Sequence, residues 1–244
     1  MTAFADKRVL LIGAGGLSSP VATLLARAGV GYIEVVDEDR IELSNLQRQT
    51  LYQDADVGQS KSATAAVRIA HEARVAGVRG TRAVAREMRV YPDRVLELVE
   101  GFDLVVEGSD NYPTKFLVAD ACALRSVACV QAGAVRWVGW AFGSVPGSTC
   151  LRCVFEDLPE GPDRGCSVAG VIGPVVGVIG ALQAAIALQI LRGQTHAAGV
   201  LHHYRALPGA LRRRRVARSP SCPLCAGQIA EIDAARYLPP SCAA

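Results

Sequence analysis

Four groups of residues in this 244-residue chain have types and spacings that could do chemistry. The first is Gly13-x-Gly15-Gly16, set after an apolar run and before a helical segment, with Asp37 about 20 residues further on. Glycines let a backbone turn tightly and approach a phosphate, and a helix N-terminus favours the negative charge. An acidic residue ending the next strand suits a ribose hydroxyl, although tight packing alone would also explain the glycines. The second group is polar and cationic: Asp37-x-Asp39, then Asn45-Leu46-Gln47-Arg48-Gln49 and Gly58-x-x-Lys61. Cleavage of a nucleotide at its α-phosphate builds negative charge on phosphorus and on departing pyrophosphate, and fixed Arg and Lys stabilise it. The third, Ser109-Asp110-Asn111, follows another apolar run, and a carboxylate there can hold Mg²⁺ or position an attacking group. Taken singly these charges read as solvated surface; gathered on one sheet edge they read as a site.

The fourth group is sulfur. Cys150-x-x-Cys153 and Cys222-x-x-Cys225 supply four thiolates, enough to close one tetrahedral Zn²⁺ site. The 68 residues between the pairs exceed a compact finger, so the fold has to bring them together. Such a site has no open coordination position, and its work would be to staple the tail. Cys166 stands apart, in a loop ahead of a long apolar helix, where the helix N-terminus would favour the thiolate. It is either a nucleophile or a spectator thiol. Cys122 and Cys129 sit in apolar segments and read as core; His202 and His203 are expected on opposite faces of a strand.

The elements that must position these groups alternate in type. Strands are expected at 8–12, 32–36, 78–85, 102–107 and 128–131, and helices at 18–28, 60–73, 92–99 and 114–124. That alternation predicts an α/β fold, a mostly parallel sheet with helices on both faces. After Gly133 the pattern changes: a strand over 135–145, a long apolar helix, and late strands over 201–207 and 211–217, expected to be antiparallel. One domain over 1–244 is expected, with a nucleotide-binding half, 1–133, and a second half, 134–244, that carries the cysteine site.

Bulk properties agree. Half the residues are hydrophobic and only 5% aromatic, and the net charge of +3 gives no reason to invoke nucleic acid. The run Arg212–Arg215 reads as an exposed face or strand edge. No secretory signal opens the chain, so a cytoplasmic location with reduced thiols is expected. Residues 168–191 carry no charge and are long enough to span a bilayer. Four glycines and Pro174 crowd that stretch, and a cysteine pair lies on either side of it. It is therefore expected to be a helix buried on all sides in a core, with no membrane partner.

In order and spacing, Gly13-x-Gly15-Gly16-Leu17, Asp37-x-Asp39, Asn45-Leu46-Gln47-Arg48-Gln49, Gly58-x-x-Lys61 and Asp110-Asn111 resemble the ThiF/MoeB/HesA family. These are bacterial relatives of ubiquitin-activating enzymes, with a Rossmann-like fold, and the similarity continues through Cys166 and Gly173-Pro174 to the last Cys-x-x-Cys. The resemblance implies an adenylyltransferase that uses ATP and Mg²⁺ on the C-terminal Gly-Gly carboxylate of a ubiquitin-like sulfur-carrier protein. It further implies a homodimer, a sulfur donor such as a sulfurtransferase, and a structural Zn²⁺ on Cys150, Cys153, Cys222 and Cys225. Gly16, Asp37, Asn45, Arg48, Lys61, Asp110 and Asn111 would contact ATP: Arg48 and Lys61 its phosphates, Asp37 the ribose, Asp110 the magnesium. Gly13, Gly15, Asp39 and Gln49 complete the expected site. In ThiF-like members the cysteine matching Cys166 forms a sulfur-linked adduct with the carrier.

Two departures stand out. Family members commonly begin with an Arg-x-x-Arg-Gln segment that sends an arginine into the partner's ATP site, and only seven residues precede the first expected strand here. Arg48 and Lys61 then act alone, another basic residue substitutes, or catalysis is weak. Lys115 stands where the family usually has Arg, which keeps the charge and loses the bidentate fork. An NAD-dependent oxidoreductase would share the glycine turn but would leave Arg48, Lys61 and the cysteine pairs unexplained. A non-catalytic carrier-binding protein would keep the fold and the zinc site.

Overall fold

The computed structural model describes residues 3–158 and 170–237. Short aliphatic runs form the central strands because their side chains are buried on both faces, as parallel strands under helices require. These are β1 (Arg8–Ile12), β2 (Tyr32–Val36) and β4 (Leu104–Glu107); β3 (Arg82–Arg86) is the more exposed edge. They are followed by β5 (Ala128–Val135), β6 (Val138–Ser144), β7 (Val200–Arg205) and β8 (Ala210–Arg215). All eight make one sheet in the order β3-β2-β1-β4-β5-β6-β7-β8. Pairing is parallel from β3 to β5 and antiparallel from β5 to β8.

Alternation along β1 divides the core. Val9 and Leu11 face α1 (Ser18–Ala28) and α2 (Lys61–Val75), whereas Leu10 and Ile12 face α3 (Val95–Val99) and α4 (Tyr112–Leu124). A one-turn helix, α5 (Arg152–Phe155), carries the first cysteine pair, and the long helix is α6 (Gly173–Leu191). From β1 the chain steps to β2 and β3 on one side and to β4 on the other. The carboxyl end of β1 is thus the point where the strand order reverses, the usual location of a ligand crevice in such sheets.

Three expectations need correction. The sheet turns at residues 135–138, so the strand expected over 135–145 belongs to two: Val135 ends β5 and Val138 begins β6. The strand expected over 78–85 starts later, at Arg82, where it can pair with Tyr32 of β2. Most consequentially, α6 is not buried on all sides. Val175, Val176, Ile179, Ile186 and Ile190 pack on the sheet and α1, while Pro174, Gly177, Val178, Ala181 and Ala185 face outward. Val178 is 37% exposed. The helix is long and apolar enough to cross a membrane by composition, yet its inner side is committed to the sheet.

Candidate active site

The glycine turn is built by close approach. A Cβ on Gly16 would lie 2.8 Å from Val176 Cγ1 and 3.2 Å from the Arg48 carbonyl, so any larger residue would push α6 or the Arg48 segment away. The fingerprint glycine missing at position 18 is answered across the crevice. Ser18 is buried, and Gly108, at the end of β4, leaves the room that its hydroxyl occupies. Among the described residues no side chain caps the start of α1; Ser19 N–H donates to the Gly15 carbonyl at 3.0 Å and Pro20 has no N–H, so it is the N–H groups of Gly16, Leu17 and Ser18 that stay open towards an anion.

Asp37 fixes this turn from the end of β2. Its Oδ2 accepts the Ala14 N–H at 2.7 Å and its Oδ1 the Asp39 N–H at 2.8 Å. Burial pushes the carboxyl up, against the pull of those two N–H groups and of Lys61. Each oxygen keeps a lone pair, so the group can still accept from a ribose hydroxyl. Tyr52 locks the other side, its hydroxyl lying 2.7 Å from the Ala14 carbonyl and 3.1 Å from that of Lys61.

All eleven residues expected to hold the nucleotide line a single cleft of about 840 Å³: Gly13, Gly15, Gly16, Asp37, Asp39, Asn45, Arg48, Gln49, Lys61, Asp110 and Asn111. Within it their situations differ. Arg48 makes one long bond to the Ser44 carbonyl (3.4 Å), and among the described residues no carboxylate pairs with it. Lys61 is nearly buried at the start of α2, with its Nζ 2.8 Å from Asp39 Oδ2. It reaches a phosphate only with the N–H groups Asp39 leaves over. Asn111 caps α4, its Oδ1 accepting the Thr114 N–H at 2.9 Å, which leaves its amide NH₂ facing the cleft. Asp110 is exposed beside it, and among the described residues nothing pairs with its carboxylate. An exposed oxygen donor at the mouth of a phosphate-sized cleft fits Mg²⁺.

Sequence reasoning missed the support beneath Asp110. Glu107, fully buried at the end of β4, accepts the Ser109 N–H at 2.7 Å and the Ser109 hydroxyl on Oε1. Its Oε2 accepts from Lys115 Nζ at 2.9 Å, and the same ammonium donates to the Ala132 carbonyl at 2.6 Å. Gln183 of α6 donates to the Glu107 carbonyl at 2.7 Å. This buried ion pair sets the loop 108–111, and Lys115 itself lines the cleft. Arg40 and Arg89 also line it; only their charge hinted at a role, and arginine is common on surfaces. Beyond Lys115 the cleft becomes apolar, walled by Trp140, Phe155, Val138 and Leu201 with His203, and the Trp140 and Phe155 rings lie 4.9 Å apart.

The four cysteines meet. Cys150 Sγ lies 3.8, 3.5 and 3.5 Å from those of Cys153, Cys222 and Cys225, and Cys153 lies 3.6 Å from Cys225. Tetrahedral Zn–S bonds of about 2.3 Å place sulfurs about 3.8 Å apart, so the set fits zinc with little adjustment. N–H groups of Ser219 and Cys225 point at Cys153 and Cys222, as thiolates require. Between the first pair sits Arg152, fully buried, which clasps Asp120 of α4 through Nε (3.0 Å to each oxygen) and Nη2 (2.8 Å). Tyr237 donates to the same carboxylate at 2.7 Å. Cys122 and Cys129 are buried in the core, as expected. His202 and His203 pair with Arg213 and Arg212 on opposite faces. Cys166 lies outside the described residues.

Fold and cleft together define a Rossmann-like α/β protein with an anion-receptive crevice at the reversal point of its sheet. The ThiF family matches residues 1–224, and the chain belongs to that family. It is 38% identical over 242 residues to the SAMP-activating enzyme E1 of Haloferax volcanii, covering 98% of this chain and 87% of that protein. It is 37% identical to a sulfur carrier protein adenylyltransferase of Thermus thermophilus, covering 94% and 86%. The sulfur carrier protein ThiS adenylyltransferase of Escherichia coli is 35% identical, with coverages of 93% and 88%. Among solved structures, Escherichia coli MccB superposes with a TM-score of 0.78 at 22% identity over 91% of this chain and 68% of that one, a likeness of fold.

Proposed function

We propose that the chain is an ATP-dependent adenylyltransferase that activates the C-terminal glycine carboxylate of a ubiquitin-like sulfur-carrier protein. One observation carries the reading. A single cleft joins an anion-receptive glycine turn, an arginine without an ion-pair partner among the described residues and an exposed aspartate to an apolar wall of Trp140, Phe155, Val138 and Leu201. A redox enzyme has no use for the cations, and a nucleotide-binding module has no use for the apolar wall.

In this mechanism ATP lies over Gly13–Gly16, with its ribose at Asp37 and its phosphates at the first turn of α1, Arg48 and Lys61. The carrier's extended tail enters past Trp140 and Phe155, and its carboxylate oxygen attacks the α-phosphorus. That bond forms as the bond from the α-phosphorus to the bridging oxygen breaks, and pyrophosphate leaves with the electron pair. Arg48 and the N–H groups of Gly16, Leu17 and Ser18 stabilise the charge that builds on phosphorus and on the departing group. When bound, Mg²⁺ at Asp110 would screen the phosphates. The enzyme's contribution is positioning and charge; the nucleophile belongs to the carrier.

Residues 1–133 then form the nucleotide-binding half and 134–244 the carrier-binding half, stapled by Zn²⁺ on Cys150, Cys153, Cys222 and Cys225. The uncharged outer face of α6 supports a homodimer, because an apolar helix face is stabilised by a second copy more than by water. A sulfurtransferase would discharge the acyl-adenylate, and the cytoplasm, with ATP and reduced thiols, is the matching compartment. The test is pyrophosphate release from ATP with Gly-Gly-terminated carriers of the same genome, each supplied singly. Release is expected with one of them and is lost when its terminal glycine is removed. If NAD rather than ATP raises the melting temperature and no carrier supports release, the reading fails.

A further inference from the structure

The antiparallel half of the sheet has one face against α6; the other is buried at Gln131 and Phe142 and opens over β7 and β8, and strand register assigns each side chain to one or the other. One cross-strand row runs Gly133, Trp140, His203, Arg212, and the next runs Gln131, Phe142, Leu201, Arg214. Directly paired residues point to the same face, so Arg212 and Arg214 extend the surface on which Trp140, Leu201 and His203 line the cleft. A third row, Val135, Val138, Arg205, adds a further arginine to it. Arg213 and Arg215 point the other way; Arg215 is spent on the carbonyls of His196 and Ala198.

Arg205, Arg212 and Arg214 are exposed, and among the described residues none has a carboxylate partner. The imbalance is regional: residues 164–230 contain eight arginines and neither Asp nor Glu. A second copy laid along the β8 edge would set arginine against arginine, which disfavours self-pairing.

We infer that this arginine face, continuous with the cleft, selects a carrier whose docking surface is acidic, with Arg212 and Arg214 meeting its carboxylates. The inference rests on the adenylyltransferase reading and adds the chemistry of the partner. Charges arranged this way steer encounter and reject wrong partners. A carrier of matching sign is drawn in before its tail enters the cleft.

The experiment measures adenylate formation at low salt against the concentration of the Gly-Gly carrier that supports pyrophosphate release. It compares the parent protein, the double variant Arg212→Glu/Arg214→Glu, and Arg213→Glu. The double reversal should raise KM for the carrier about tenfold or more, and Arg213→Glu by less than about twofold. Added salt should narrow the difference between parent and double variant. Reversing acidic residues of the carrier to lysine should restore the double variant. An unchanged KM in the double variant, an equal rise in Arg213→Glu, or a loss confined to kcat would overturn the docking inference while leaving adenylation intact. Absence of adenylate with every carrier in the parent protein would instead overturn the underlying reading, and this proposal with it.

Discussion

Replacing Asp120 with alanine strands a guanidinium that has no route to water. Both side chains of the Asp120–Arg152 pair are 0% exposed, and three N–H contacts and the Tyr237 hydroxyl converge on the carboxylate. Breaking one side of such a pair costs about 3–5 kcal/mol, because the surviving charge stays desolvated. Arg152 also donates to Asp157 at 2.8 Å, and that carboxylate is largely exposed, so the loss should fall in the lower half of the range. For a chain of this size that corresponds to a melting temperature lower by roughly 6–16 °C. Removing all the polar partners together should cost much less: Asp120→Leu, Arg152→Met and Tyr237→Phe leave no orphaned charge or hydroxyl. Calorimetric and urea unfolding of the metal-loaded protein measure both. A single variant within about 1 kcal/mol of the parent, or a triple variant no better than the single, would refute the reasoning. The stake is the link between α4, which carries the Asp110 loop at its start, and the cysteine module.

Further expectations follow from the same geometry. Lys115→Met leaves Glu107 buried without its cation and should lower stability by about 3–5 kcal/mol, with loss of adenylation as the 108–111 loop loosens; thermal unfolding and pyrophosphate release check it. Ser18→Ala removes a buried hydroxyl that has no partner among the described residues, so the variant should be neutral or up to about 1 kcal/mol more stable in urea unfolding. Metal analysis should find one zinc per chain, and chelation or Cys222→Ser should lower the melting temperature by releasing the tail from Arg152 and Asp120.

Much of this site was legible in the sequence because its chemistry is local. The glycine turn, Asp37 and Asp110 each sit just past a strand end, and parallel strands bring such ends to one edge; the Arg48 segment lies in the long connection after β2. The cysteine pairs were legible because two Cys-x-x-Cys pairs supply four thiolates, a common ligand set for one tetrahedral metal. What escaped reading depends on distant partners. Lys61 gave no sign that Asp39 would claim its ammonium, and Lys115, legible only as a charge in the family's arginine position, gave no sign that the fold would bury it against Glu107. The β5–β6 turn carries no glycine, asparagine or proline; Arg136 takes the left-handed conformation instead, with φ +50°. Hydropathy reported that α6 is apolar but not that only one side of it meets the sheet.

Isotope exchange between pyrophosphate and ATP probes the cleft's capacity to break the triphosphate at its α-phosphorus. With a Gly-Gly carrier present, the parent protein should support exchange. Arg48→Ala and Asp110→Ala should each reduce it by at least about a hundredfold while unfolding near the parent's temperature. Exchange at the parental rate in both folded variants would contradict the account.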